Sequence, residues 1–133
     1  MLRSSWTRGP EREPSGPVLV EVTVFAPAVR RDLPGIFRAG MRLREGWPEL
    51  HGAVGMWLWT RPFAGTCGSV SVWRDRESLM SFVVRPDHLD VVRRYRQRGN
   101  LTSSSWHQAW QGPEPLWRRA ASRLGPGVAP PSR

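Results

Sequence analysis

Residues 68–99, GSVSVWRDRESLMSFVVRPDHLDVVRRYRQRG, change their hydrophobic period part-way along, and that change decides the fold. Up to Trp73 the pattern alternates, Val70 and Val72 standing against Ser69, Ser71 and Trp73, which is the period of two that a strand imposes. From Asp75 onward the spacing lengthens, and Leu79, Phe82 and Val83 make a helical stripe behind an aspartate cap. Pro86 has no N–H and crowds the preceding turn, so the helix kinks or restarts there. The second half carries Leu89, Val92 and Tyr95 before Gly99 ends it.

The same unit occurs once more upstream. Residues 17–28, PVLVEVTVFAPA, set Val18, Val20, Val22 and Val24 on one face and Leu19, Glu21, Thr23 and Phe25 on the other. Asp32 and Pro34 then open a helix with Leu33, Ile36, Phe37, Gly40 and Leu43 on one stripe, which Gly46 and Pro48 terminate. Residues 53–60, AVGMWLWT, alternate Val54, Met56 and Leu58 with Gly55, Trp57 and Trp59, and pair with 68–73 across the turn RPFAGTCG. Residues 101–110, LTSSSWHQAW, supply a last strand. The order strand, helix, strand, strand, helix, strand predicts an α+β, ferredoxin-like βαββαβ domain, a four-stranded antiparallel sheet with two helices on one face. The aliphatic sets Val18/20/22/24, Met56/Leu58 and Val70/Val72 are expected to lie under the helices. That leaves Leu19, Thr23, Phe25, Trp57, Trp59 and Trp73 on the other face, too apolar to stand in water, and a second copy of the chain is the expected cover.

A chain of 133 residues supports one core of this size. The domain is expected to run from 17 to 117. Residues 1–16, rich in Pro, Gly, Ser, Arg and Glu, read as a flexible leader, and 118–133 as a mostly disordered extension. The net charge of +9 comes from 20 basic residues, all arginine; with single Ile, Asn and Tyr residues this is the stamp of a GC-rich genome. Arg93, Arg94, Arg96 and Arg98 therefore read as a solvated helix end favoured by the helix dipole, and nucleic acid is not the expected partner. No apolar run is long enough to span a bilayer, the opening residues are not expected to act as a secretory signal, and the lone Cys67 suits the expected reducing cytoplasm. His51, His88 and His107 have no spacing that makes a metal site. The 8 tryptophans ask for an aromatic cavity, an interface, or both.

The segment SVWRDRESLMSFVVRPDHLDVVRRYR, with Trp73, Asp75, Leu79, Phe82 and His88, resembles a recurring stretch of the dimeric α/β-barrel superfamily. Within it, the antibiotic-biosynthesis-monooxygenase-like and spheroidene-monooxygenase-like domains are the nearest in pattern. The resemblance covers roughly residues 17–111 and implies a homodimer, each subunit holding a hydrophobic small molecule. It implies cofactor-independent oxygenation of an aromatic or polyketide substrate in bacterial secondary metabolism. Alternatives on the same fold are a cyclase, isomerase or dehydratase, or a haem- or metabolite-binding protein without turnover; where haem-degrading members carry an asparagine on the first strand, this chain offers only Glu21 and Thr23. Carried over, Trp73 would line the cavity and His88 would face its mouth. His88 with Tyr95 or His107 would move a proton, and Phe25, Trp57, Trp59, Trp73, Glu21 and Thr23 would contact the substrate. Glu21, if buried beside Trp57, would have a raised pKa or pair with Arg61.

Overall fold

The computed structural model describes residues 1–124. Its main strands are β3 (Pro17–Pro27), β4 (Ala53–Arg61), β5 (Thr66–Trp73) and β6 (Gly99–Ala109), in the order β4-β5-β3-β6 with every pairing antiparallel. The helices are α1 (Leu33–Glu45), α2 (Arg76–Val83), α3 (Pro86–Tyr95) and α4 (Pro113–Ala121). This is the ferredoxin-like arrangement, with the second helix divided at Pro86 as its sequence requires. Asp75 caps α2, its carboxylate accepting from the Ser78 N–H at 2.8 Å and the Ser78 hydroxyl at 2.7 Å. Asp32 precedes α1 without capping it and pairs with Arg98 at 3.4 Å instead.

The assignment of sheet faces differs from the sequence expectation. Leu19 lies opposite Trp73, Glu21 opposite Ser71, Thr23 opposite Ser69 and Phe25 opposite Cys67; Met56 and Leu58 join them through Ser71 and Ser69. These residues, not the valines, lie under α1 and α2, where Leu19, Met56, Leu58 and Trp73 pack with Trp47, Leu50, Ala53 and Leu79. Val18, Val20 and Val22 share the opposite face with Val70, Val72, Trp57 and Trp59. The cause is register. Alternation fixes which residues of one strand share a face, but pairing decides which faces of neighbouring strands coincide, and a bulge between Ala53 and Gly55 resets β4.

That second face is closed by the chain's own ends. The residues read as a flexible leader form β1 (Leu2–Arg3) and β2 (Thr7–Arg8), both antiparallel to β4. Backbone bonds from Ser4 to Leu58, Gly9 to Val54 and Glu11 to Ala53 continue the docking, and Arg44 of α1 holds Thr7 and, at 2.8 Å, Ser5. Between the two strands Trp6 drops onto Gly55, where an added Cβ would stand 2.0 Å from the indole. At the other end α4 straddles the expected domain boundary at 117, laying Leu116, Trp117, Ala120 and Ala121, with Leu124 beyond, on Val18, Val20, Trp57 and Trp59. Arg3 fastens the two ends together, reaching Glu114 at 3.2 Å and stacking on Trp57 and Trp117. Trp57 and Trp59 are 1% and 0% exposed in the single chain, so they do not require a second copy to cover them. The rest of the expected disordered tail, 125–133, lies outside the described residues.

Candidate functional site

On the helix side of β3 the residues run apolar, polar, polar, apolar: Leu19, Glu21, Thr23, Phe25. Leu19 belongs to the cluster around Trp73 and Leu79, and Phe25 to a second cluster with Leu33 and Cys67. Between them lies a polar strip, because Glu21 is flanked by Ser71 and Ser105 and Thr23 by Ser69 and Ser103. Helix α3 bridges the two clusters. At its start the His88 ring packs on Phe82 at 4.8 Å, and Phe82 in turn meets Trp73 at 5.4 Å and Trp47 at 5.2 Å. At its end Tyr95 packs on the Phe25 cluster. No residue of α3 is fully buried, and β6 is exposed along 100–105. The helix side of the sheet thus carries an aromatic cluster beside His88, a polar strip along β3 and β5, and the exposed strand β6.

His88 donates Nδ1–H to the Val83 carbonyl at 3.0 Å, since a carbonyl only accepts. That leaves Nε2 with its lone pair. Burial beside Phe82 pushes the imidazole pKa below its ordinary 6.5, outweighing the Val83 bond and the Asp87 charge. His88 is therefore a neutral base with a fixed tautomer at pH 7. Burial raises the Glu21 carboxyl above 4.5, opposed by the Arg76 charge. Arg76 Nη2 also donates to Ser105 Oγ of β6 at 3.4 Å. In the polar strip Thr23 Oγ1 and Ser69 Oγ share a 2.8 Å hydrogen bond, and Ser71 Oγ accepts from Trp73 Nε1 at 2.9 Å, which fixes the indole.

The predicted site residues thus divide. Trp73, Glu21, Thr23 and Phe25 lie on the helix side of the sheet, and His88 reaches Trp73 through Phe82. Trp57 and Trp59 lie on the far side of the sheet, under α4. Tyr95 shares the α3 stripe with His88, but its hydroxyl lies over Gly35 of α1, where a Cβ would be 2.9 Å away. His107 stands exposed on β6 opposite Leu19. Cys67 is buried, its thiol pushed up to about 11, and is no nucleophile. Sequence reading missed Phe82 as the link between Trp73 and His88, although its place on the α2 stripe was visible, and missed Arg76 and the polar strip. Among the described residues, no three His, Cys, Asp or Glu side chains are placed to hold a metal ion, and no helix is long and apolar enough to cross a membrane.

This sheet order and helix placement recur in solved structures. A single-residue variant of SnoaB, a cofactor-independent oxygenase from Streptomyces nogalater, superposes with a TM-score of 0.55 at 16% identity, over 73% of this chain and 98% of that one. The chain shares the ferredoxin-like fold of these proteins. An antibiotic biosynthesis monooxygenase gives a TM-score of 0.57 at 11% identity, over 71% and 99% of the two chains. A protein from Shewanella oneidensis gives 0.59 at 12%, over 71% and 93%. No family model and no curated protein matches the sequence. These monooxygenase-like neighbours are matched almost end to end, while about a quarter of this chain is additional.

Proposed function

We propose that the chain is a cofactor-independent oxygenase for an electron-rich, hydroxylated aromatic or polyketide-type substrate of bacterial secondary metabolism, bound on the helix side of the sheet beside His88. The observation that carries this reading is His88, a neutral imidazole of fixed tautomer set against the Phe82–Trp73 aromatic wall. In the proposed reaction Nε2 takes the substrate's phenol proton as the ring packs against Phe82, which Trp73 backs from the core. The phenolate reduces dioxygen directly, forming a carbon–oxygen bond at the ring carbon. Loss of water from the resulting hydroperoxide leaves a quinone, so that one phenol and one O2 give one quinone and one water. Glu21 is the carboxyl on the same side of the sheet, and in the proposed reaction it donates a proton to the departing oxygen. Thr23, Ser69 and Ser71 offer hydrogen bonds to substrate oxygens, and Phe25 closes the far end; Tyr95 shapes the site and His107 stands outside the proton path.

Oxygen uptake by the chelator-treated protein with 1-naphthol or an anthrone tests this. The expected result is enzyme-dependent uptake matched by quinone formation and abolished in His88→Phe. Turnover without oxygen uptake would transfer the site to a cyclase, isomerase or dehydratase using the same acid and base. A Soret band in the purified protein would replace the cofactor-free reading by haem binding.

We also propose that the chain forms a homodimer through β6. Among the described residues nothing pairs with its outer edge, and Leu101 is 59% exposed on its helix-side face. A long bare edge strand is a template for pairing. Light scattering should show a dimer that Leu101→Lys converts to monomer; a monomeric parent protein refutes it.

A further inference from the structure

The segments that close the second face build a cavity of about 330 Å³ on the opposite side of the sheet from His88. Its walls are Trp6 and Val54, Arg8 at the end of β2, Arg12 and Glu13 beyond it, and Trp110 to Pro113 where β6 gives way to α4. The walls are held in place. Trp6 is seated on Gly55 and against Trp57 at 4.5 Å, and Trp110 lies nearly parallel to Trp6, 27° between planes and 6.0 Å between centroids. The backbone N–H groups of Gly9 and Glu11 donate to Val54 and Ala53 at 3.0 Å, and Glu11 is drawn away to Arg74 at 3.7 Å. Gly112, at φ 90°, turns the chain into α4 at the cavity's far side.

Among the described residues neither Arg8 nor Arg12 has a carboxylate within salt-bridge distance, and Glu13 has no cation within it. The cavity therefore carries one net positive charge beside a two-indole wall. The volume sits at the lower end of small-molecule pockets, enough for one or two rings. We infer that this cavity is a second binding site, for a planar aromatic carboxylate of one or two rings. The ring stacks on the Trp6–Trp110 wall and the carboxylate is taken by Arg8 and Arg12. Glu13 and Gln111 can accept from a hydroxyl or amino substituent. The inference is independent of the oxygenase reading, because the two sites share no residue.

The test uses 1-naphthoate, with neutral 1-naphthalenemethanol as control, followed by the indole N–H resonances of the full-length protein. Arg8→Gln/Arg12→Gln changes only exposed side chains and is checked for an unchanged melting temperature. The expected result is a saturable naphthoate shift confined to Trp6 and Trp110. The affinity should fall at least about tenfold in the double variant, the scale of one charge-assisted hydrogen bond, with little change for the alcohol. No saturable shift, a shift that survives the double variant, or a response at Trp73 alone would overturn the inference. Loss of oxygen uptake in His88→Phe leaves this titration unchanged, which separates the two sites.

Discussion

Truncating Trp117 to alanine tests whether the chain's own C-terminal helix closes the second sheet face. Trp117 is 1% exposed, edge-on to Trp57 at 5.2 Å and under the Arg3 guanidinium at 4.8 Å. Burying a tryptophan removes about 150 to 250 Å² from water, worth about 4 to 6 kcal/mol at ~25 cal/mol per Å². Its Nε1 has no hydrogen-bond partner, so removing the indole also relieves an unmade bond costing about 1 to 3 kcal/mol. The net loss expected for Trp117→Ala is therefore about 3 kcal/mol, within the usual range for large core truncations. In a chain of this size that lowers the melting temperature by about 10 °C. Urea unfolding followed by far-ultraviolet circular dichroism reads it, with Trp106→Ala, partly buried at the edge of the same cluster, as the milder comparison. A loss below about 1 kcal/mol for Trp117→Ala would mean that α4 does not cover this face, and the self-closed architecture would fall.

Gly55→Val places a side chain where the Trp6 indole lies. It should cost about 1 to 3 kcal/mol, expose Trp6 to acrylamide quenching and remove 1-naphthoate binding; an unquenched Trp6 would contradict the seating. Glu21→Gln should raise stability at pH 7. The folded-state pKa of Glu21 lies above 4.5, so its contribution is lost as pH rises from 4.5 through the folded value, and the amide escapes that loss; denaturant midpoints at pH 4 and pH 7 would show it. His88 gives the opposite slope. Its folded pKa lies below 6.5, so the unfolded chain binds the extra proton and stability falls as pH drops below 6.5. His88→Phe should flatten that part of the profile, and the acid limb of kcat/KM in the parent should lie below pH 6.5.

The fold was legible because residues 68–99 and 17–46 each switch period from two to helical spacing at an aspartate, and few architectures take that unit twice. The faces were not. Val20 and Trp57 each alternate cleanly in their own strands, but only the pairings Val20 with Val72 and Val70 with Trp57 put them on one side. The ends were hidden by composition: Trp6 stands among Ser, Arg, Gly and Pro, and β1 and β2 are two residues each, too short to show a period. Two signals were present. Gly55 interrupts an otherwise bulky strand where another side chain must pass, and Leu116, Trp117, Ala120, Ala121 and Leu124 repeat at helical spacing behind Pro113. On the helix side, His88 and Trp73 were visible as a pair, whereas the polar strip came only from register, since Ser69, Ser71, Ser103 and Ser105 read as ordinary strand polar positions until pairing set them beside Thr23 and Glu21.

The central claim is direct oxygenation at His88, and isotope tracing tests it most directly. Chelator-treated protein turning over 1-naphthol under ¹⁸O2 should place one labelled atom in each quinone and the other in water, with His88→Phe inactive and Arg8→Gln/Arg12→Gln fully active. Quinone whose new oxygen is unlabelled, drawn from solvent water, or turnover that survives His88→Phe, would contradict the account.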